Sequence, residues 1–275
     1  MTPSGTASGT VRKEIYAHLK RAARVWAVSS IHGEAARLQA LHRALAHRWQ
    51  PGDRLVYLGN CIGRGGAIAE TIAELLSFRT AVIAQRGAFA ADVAYLRGSQ
   101  EEMWQKLLEL QFAPNPREVL EWMLSQGVGA TVVAYGLNPE EGMRACREGA
   151  LAITRWTSAL RAAINAAPGH RSLLTALRRY AFTDEGGVLF VHAGVAANRP
   201  LYAQKDVFWW GGGPFLELDE PFSGFRRVVR GYERRHGGLV EGQFATSLDG
   251  GCGFGGDLLA GCFGPAGELI ETLKA

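Results

Sequence analysis

Apolar positions in the first third of the chain switch between two periods. Val25-Trp26-Ala27-Val28 is a short continuous run of strand length, and across residues 35–49 apolar side chains recur at Ala36, Leu38, Leu41, Leu45 and Trp49, close to the helical period. After the Pro51-Gly52 turn, Arg54-Leu55-Val56-Tyr57-Leu58 repeats the strand signal and residues 68–78 repeat the helix. Ala81-Val82-Ile83-Ala84 reads as a third strand. Strands alternating with helices predict an α/β fold whose largely parallel sheet is covered on both faces. Any site then belongs in the loops at the strand C-termini. Three loops sit there: Ser29-Ser30-Ile31-His32-Gly33-Glu34, Gly59-Asn60-Cys61-Ile62-Gly63-Arg64-Gly65 and Arg86-Gly87-Ala88-Phe89-Ala90.

From about residue 97 to 183 the pattern becomes helical, with helices predicted over 101–112, 116–125, 139–167 and 171–180, broken at Pro114, Pro116, Pro139 and Pro168-Gly169. We read this stretch as a helical cap inserted into a single domain covering residues 1–275, with a mobile tail to about Val11. Trp104, Trp122 and Trp156 read as core residues of these helices, with an aromatic binding wall as the alternative.

Two later segments carry chemistry. Leu189-Phe190-Val191-His192-Ala193-Gly194 is a strand ending on an imidazole, and Val228-Val229-Arg230-Gly231-Tyr232 is another strand ending on a phenol. Ser247-Leu248-Asp249-Gly250-Gly251, running on to Gly255-Gly256-Asp257-Leu258, reads as a glycine-rich hairpin, since no helix opening on Gly-Lys-Ser/Thr follows it to make a phosphate loop.

Taken in order, these segments resemble the calcineurin-like metallophosphoesterase superfamily, in particular its phosphoprotein phosphatase branch with the bacterial diadenosine tetraphosphatases. Members carry Gly-Asp-x-His-Gly, Gly-Asp-x-x-Asp-Arg-Gly and Arg-Gly-Asn-His-Glu, then a strand ending in His-Ala-Gly or His-Gly-Gly, a Gly-His pair, and a closing Asp-Thr-Gly and Gly-Gly-x-Leu. The resemblance implies a metallophosphoesterase-like sandwich of two mixed β-sheets flanked by helices.

Carried over residue by residue, it places the family's metal ligands on Ser30, His32, Asn60, Ala88, His192 and Tyr232, of which only His32 and His192 are of the family's type. The family's bridging aspartate offsets repulsion between two dications held about 3.5–4 Å apart; the neutral amide of Asn60 does this poorly. Tyr232 would ligate strongly only as phenolate, which a phenol pKa of about 10 disfavours. The general acid falls on Phe89 and its orienting carboxylate on Gly63, so no group there protonates a leaving alkoxide. The family's phosphate-contacting arginine is matched by Arg64, whereas a second arginine, after the tryptophan matched by Trp210, is replaced by Gly212. Arg64, Arg86, His32 and His192 are thus the candidate ligand-binding set, able to hold phosphate through charge-assisted hydrogen bonds without metal. Arg64 bonding loop carbonyls, and His32 and His192 as buried imidazoles bonded to backbone, are the bland alternatives.

The leading expectation is a catalytically impaired phosphatase fold with no cofactor, binding a phosphate-containing small molecule or phosphoprotein. An active phosphoric ester hydrolase with one Mn, Fe or Zn ion at His32, Asn60 and His192, assisted by Cys61, is the second. A protein-interaction scaffold whose cleft is filled by Phe89 and Tyr232 is the third.

Composition adds bounds. The chain has 275 residues, 47% hydrophobic and 20% charged, enough for one sizeable core. No apolar run approaches a membrane span and the start is polar, so a cytoplasmic protein without signal peptide is expected. Cys61, Cys146, Cys252 and Cys262 lack metal-type spacing and read as reduced thiols. A net charge of +4 includes a cluster at Arg226, Arg227, Arg230, Arg234, Arg235 and His236, read as a solvated loop rather than a nucleic-acid surface.

Overall fold

The computed structural model describes residues 15–275, so the tail expected at the start of the chain lies outside the described residues. Two mixed sheets face each other. The first holds β2 (Arg24–Val28), β3 (Asp53–Tyr57) and β4 (Val93–Tyr95) in parallel, with β10 (Leu259–Phe263) and β11 (Leu269–Lys274) antiparallel on the other flank, in the order β11-β10-β2-β3-β4. The second holds β1 (Tyr16–Leu19), β5 (Tyr180–Thr183), β6 (Val188–Val191), β7 (Arg227–Arg230), β9 (Ala245–Asp249) and β8 (Gly238–Glu241), in that spatial order. Strands β6, β7 and β9 run parallel.

Every strand residue of β2 past Arg24 is buried, because both faces are covered. Val25 and Ala27 point into the sandwich with Val56, Leu58, Phe190, Val229, Leu248 and Phe263. Trp26 and Val28 point outward into a larger core. The period-2 alternation of a strand therefore survives as a choice between two apolar layers, which explains why the sequence shows continuous apolar runs. The outer core is built by α1 (Ala35–Ala46) and α2 (Ile68–Ile83) together with α3 (Ser99–Leu108), α4 (Pro116–Ser125), α5 (Val128–Ala134), α6 (Pro139–Glu148), α7 (Ala150–Ala166) and α8 (His170–Thr175). A short α9 (Val207–Trp210) and its loops cover the outer face of the six-stranded sheet through Phe208, Trp209, Phe215 and Phe222.

Several expectations need correction. Ala81-Val82-Ile83-Ala84 is not a strand but the end of α2, where Val82 continues the buried stripe of Ile68, Ile72 and Leu75. A four-residue apolar run fits either element, and here the helical register decides. The third parallel strand is β4, and the loop that follows it begins at Arg97 rather than Arg86. The helix expected over 139–167 is two, broken at Gly149, whose φ of 104° ends α6. Residues 128–134 are helical as well. Residues 250–256 are not a hairpin: β9 pairs in the six-stranded sheet and β10 in the other, so this glycine-rich loop crosses between sheets.

Trp104 and Trp156 are buried, whereas Trp122 is 46% exposed and packs edge-on against Trp210 at a ring separation of 5.7 Å. No helix among the described residues is long and apolar enough to cross a membrane.

Phe190 is fully buried between the sheets and meets Phe263 edge-on at 6.0 Å. Phe190→Ala should lower unfolding stability by about 3–5 kcal/mol, measured by urea denaturation, because the two sheets cannot close over the lost ring.

Candidate functional site

Loops 29–33, 59–65 and 97–101 leave β2, β3 and β4 at their C-terminal ends, and loops 192–194, 231–236 and 250–256 leave β6, β7 and β9 at theirs. They meet over one edge of the sandwich. Four of the six described non-glycine residues with positive φ lie here: His32 (55°), Asn60 (52°), Arg64 (58°) and His236 (52°). Left-handed backbone is unfavourable for such residues, so the tertiary structure holds these loops in place.

The clamp is a carboxylate. Glu101 is 3% exposed, and its oxygens accept N–H bonds from Asn60 (2.9 Å), Cys61 (2.7 Å), Ile62 (3.2 Å) and Gly98 (2.8 Å). Burial pushes its pKa up, while those N–H donors pull the other way. Gly98 permits the close approach, since a Cβ there would lie 2.3 Å from the Asn60 nitrogen.

This segment, Arg97-Gly98-Ser99-Gln100-Glu101, is the loop that sits where Arg86-Gly87-Ala88-Phe89-Ala90 was expected. Arg86, Ala88 and Phe89 lie away from the cleft; Phe89 is 67% exposed and lines a separate groove with Ala90. The signal was present in the sequence: Arg97, Gly98 and Glu101 match three of the five positions in Arg-Gly-Asn-His-Glu, and Arg86-Gly87 only two. Ser99 and Gln100 therefore stand where Ala88 and Phe89 were placed.

The remaining residues do converge. Asn60 Oδ1 accepts from the Gln100 N–H (2.9 Å) and the Ser99 hydroxyl (3.1 Å), which orients its amide so that Nδ2–H donates to His32 Nε2 (3.3 Å). With Nε2 accepting, His32 carries its proton on Nδ1. His192 donates its Nδ1–H to the Leu58 carbonyl (2.7 Å), leaving Nε2 with a free lone pair, and its ring stacks on Tyr232 at 5.2 Å. Five buried polar atoms in this region have no protein partner: Ser30 Oγ, His32 Nδ1, Arg64 Nε, Gln100 Oε1 and His192 Nε2.

The mouth is closed by Phe254, from the glycine-rich crossover loop. Its ring lies over the Arg64 guanidinium at 4.1 Å, edge-on to His32 at 5.3 Å and against His236 at 4.0 Å. His236 Nδ1 in turn bonds Asp249 (2.8 Å). Ser30, His32, Asn60 and His192 are each at most 1% exposed. The cleft is thus filled by Phe254 with Tyr232, not by Phe89 with Tyr232. Of the six-residue basic cluster, Arg227 bonds Thr246 and Glu241, Arg230 bonds Ser247 and Glu233, and His236 bonds Asp249, so half of it is engaged in the fold.

The donor set does not fit a pair of divalent ions. Ser30, His32, Asn60, Ser99, His192 and Tyr232 include no carboxylate; Asn60 turns an N–H toward His32, and its oxygen is already taken twice. Among the described residues no group of three or more His, Cys, Asp and Glu side chains is placed to hold an ion. Burial raises the Tyr232 phenol and drives the Cys61 thiol well up, so both stay protonated; Cys61 belongs to the outer apolar core. Burial, together with His192, Arg64 and His236, holds His32 well below the ordinary imidazole range, and burial lowers His192 to about 4.

No protein-family model matches the chain, and no curated protein sequence matches it. Solved structures do. A protein provisionally assigned as a diadenosine tetraphosphatase is 21% identical, with 95% of this chain and 98% of that one covered at a TM-score of 0.59. A protein serine/threonine phosphatase from Saccharomyces cerevisiae is 12% identical over 96% and 84% of the two chains at 0.54. A cold-active protein tyrosine phosphatase is 15% identical over 95% and 82% at 0.50. The fold is therefore one shared with these solved phosphatase structures.

The buried neutral imidazoles give the site a pH signature. A pKa of about 4 in the fold against about 6.5 unfolded means that His192 contributes full stability above pH 6.5 and loses it as pH falls toward 4. At pH 4 the loss from this residue should be about 3 kcal/mol. Urea unfolding from pH 7 to 4 should show a shallower decline for His192→Gln than for the wild type.

Proposed function

We propose that this chain is a binding protein on a phosphatase scaffold that has lost metal-dependent hydrolysis. One observation carries the reading: the Asn60 amide, locked by Gln100 and Ser99, donates an N–H hydrogen bond to the imidazole that a metal site would need as a ligand. Two dications about 3.5–4 Å apart need negative charge between them, and an amide supplies none. The family's acid–base pair is likewise replaced, by Gln100 and Gly63, and these substitutions are coupled: a Cβ at position 63 would lie 2.3 Å from Gln100 Oε1.

The hollow suits a phosphate or similar anion. Arg64 brings a full positive charge with no ion pair and no side-chain hydrogen bond among the described residues, while Ser30 and His32 add buried donors without partners. An anion held there replaces the missing partners by charge-assisted hydrogen bonds. Phe254 must swing aside to admit it, and the glycines on either side, both at positive φ, supply the hinge. The solved structures that share the fold include phosphatases, which supports a phosphate-bearing ligand. The burial of Ser30, His32 and His192 favours a second reading, in which Phe254 never leaves and the protein is a scaffold only.

Purified protein with Mn²⁺ should hydrolyse p-nitrophenyl phosphate no faster than buffer; turnover abolished by His192→Ala would overturn the proposal. Calorimetry of EDTA-treated protein should show phosphate binding that Arg64→Ala weakens about tenfold or more and Phe254→Ala strengthens. No heat at millimolar phosphate with either wild type or Phe254→Ala would leave the scaffold reading. The combined variant S30D, N60D, G63D, S99N, Q100H and Y232H should bind Mn²⁺ measurably by calorimetry, whereas Gly63→Asp alone should destabilise the fold, by about 1–3 kcal/mol, through collision with Gln100.

A further inference from the structure

A second concave site lies on the flank of the sandwich near the N-terminal ends of β3 and β4, where the edge strand β1 faces the outer ends of α2 and α8. The groove has a volume of about 930 Å³, at the upper end of the roughly 300–1,000 Å³ typical of small-molecule sites.

Its charge is one-sided. Lys20, Arg21 and Arg79 line it without an ion pair among the described residues; Asp184, outside the lining, bonds the His18 ring and the Arg21 N–H, each at 2.5 Å. The one carboxylate in the lining, Asp92, is neutralised by Arg54 at 3.0 Å and also accepts the Phe89 N–H at 2.8 Å. That second bond fixes the backbone that carries Phe89. The ring of Phe89 is 67% exposed on the groove, and Tyr16, also in the lining, is 41% exposed. Phe89 and Tyr16 thus give a groove lined by cations two exposed aromatic rings.

We propose that this groove binds a nucleotide, with phosphates on Lys20, Arg21 and Arg79 and the base stacked on Phe89. The cations select the polyanion and fork-shaped guanidiniums match its oxygens. A flat ring on Phe89 recovers the apolar contact that a bare phosphate leaves unused. The site shares no residue with the Arg64 cleft, and its occupancy does not depend on what that cleft holds.

Calorimetry of the full chain with ATP in EDTA should show saturable binding that weakens as NaCl is raised. The pair Lys20→Gln and Arg79→Gln should weaken it about tenfold or more, with unchanged circular dichroism. Phe89→Ala, at an exposed position that folding does not need, should weaken ATP severalfold and leave inorganic tripolyphosphate unaffected. Arg64→Ala should change nothing here. Absence of binding at about 1 mM ATP, binding lost with Arg64→Ala and untouched by the groove variants, indifference to Phe89→Ala, or binding of poly-glutamate but not ATP would each overturn the proposal.

Discussion

The site depends on the cradle around Glu101. One buried carboxylate gathers four backbone N–H groups, three from the loop after β3 and one from the start of α3. Those donors would otherwise be orphaned in a region sealed from water, and each such loss costs about 1–3 kcal/mol. The carboxylate therefore sets where Asn60 sits, and Asn60 sets the tautomer of His32. The loop geometry is held by the protein's own bonds, which explains how the left-handed residues His32, Asn60 and Arg64 persist.

Charge balance follows the same logic. A binuclear phosphatase site is a compact arrangement of dications and carboxylates in which each sign makes the other tolerable. Here no carboxylate stands at the matched ligand positions. What stands there is a neutral set of buried imidazoles, an amide and hydroxyls with the half-buried Tyr232 phenol, and Arg64 under an aromatic ring. Neutral imidazole is the cheap form in such a place, which is why both histidines are held below their usual pKa range. The Gly63 and Gln100 pair belongs together: the amide of Gln100 occupies the room that a side chain at 63 would need, so position 63 does not change alone.

Much of this was legible in the chain. The β2 and β3 loops and the strand ending on His192 rest on glycines and imidazoles whose spacing is local. The third loop was misplaced because Ala81-Val82-Ile83-Ala84 is apolar enough to pass for a strand. Arg86-Gly87 following it imitates the start of the motif. Only the burial of Val82 on the α2 stripe, and the pairing of β4 beside β3, separate the two. Phe254 was not legible either, since a phenylalanine in a glycine-rich loop carries no signal of which cleft it covers.

Taken alone, the sequence determined the residue types: no carboxylate stands at Ser30, Asn60, His192 or Tyr232. The tertiary structure decided which loop supplies Ser99 and Gln100, which way the Asn60 amide faces, and that Phe254 closes the mouth over Arg64. The physical reason is range. Strand and helix periods, and the glycines that punctuate them, act between near neighbours. The direction of a buried hydrogen bond is set by donors about forty residues away, which no local pattern encodes.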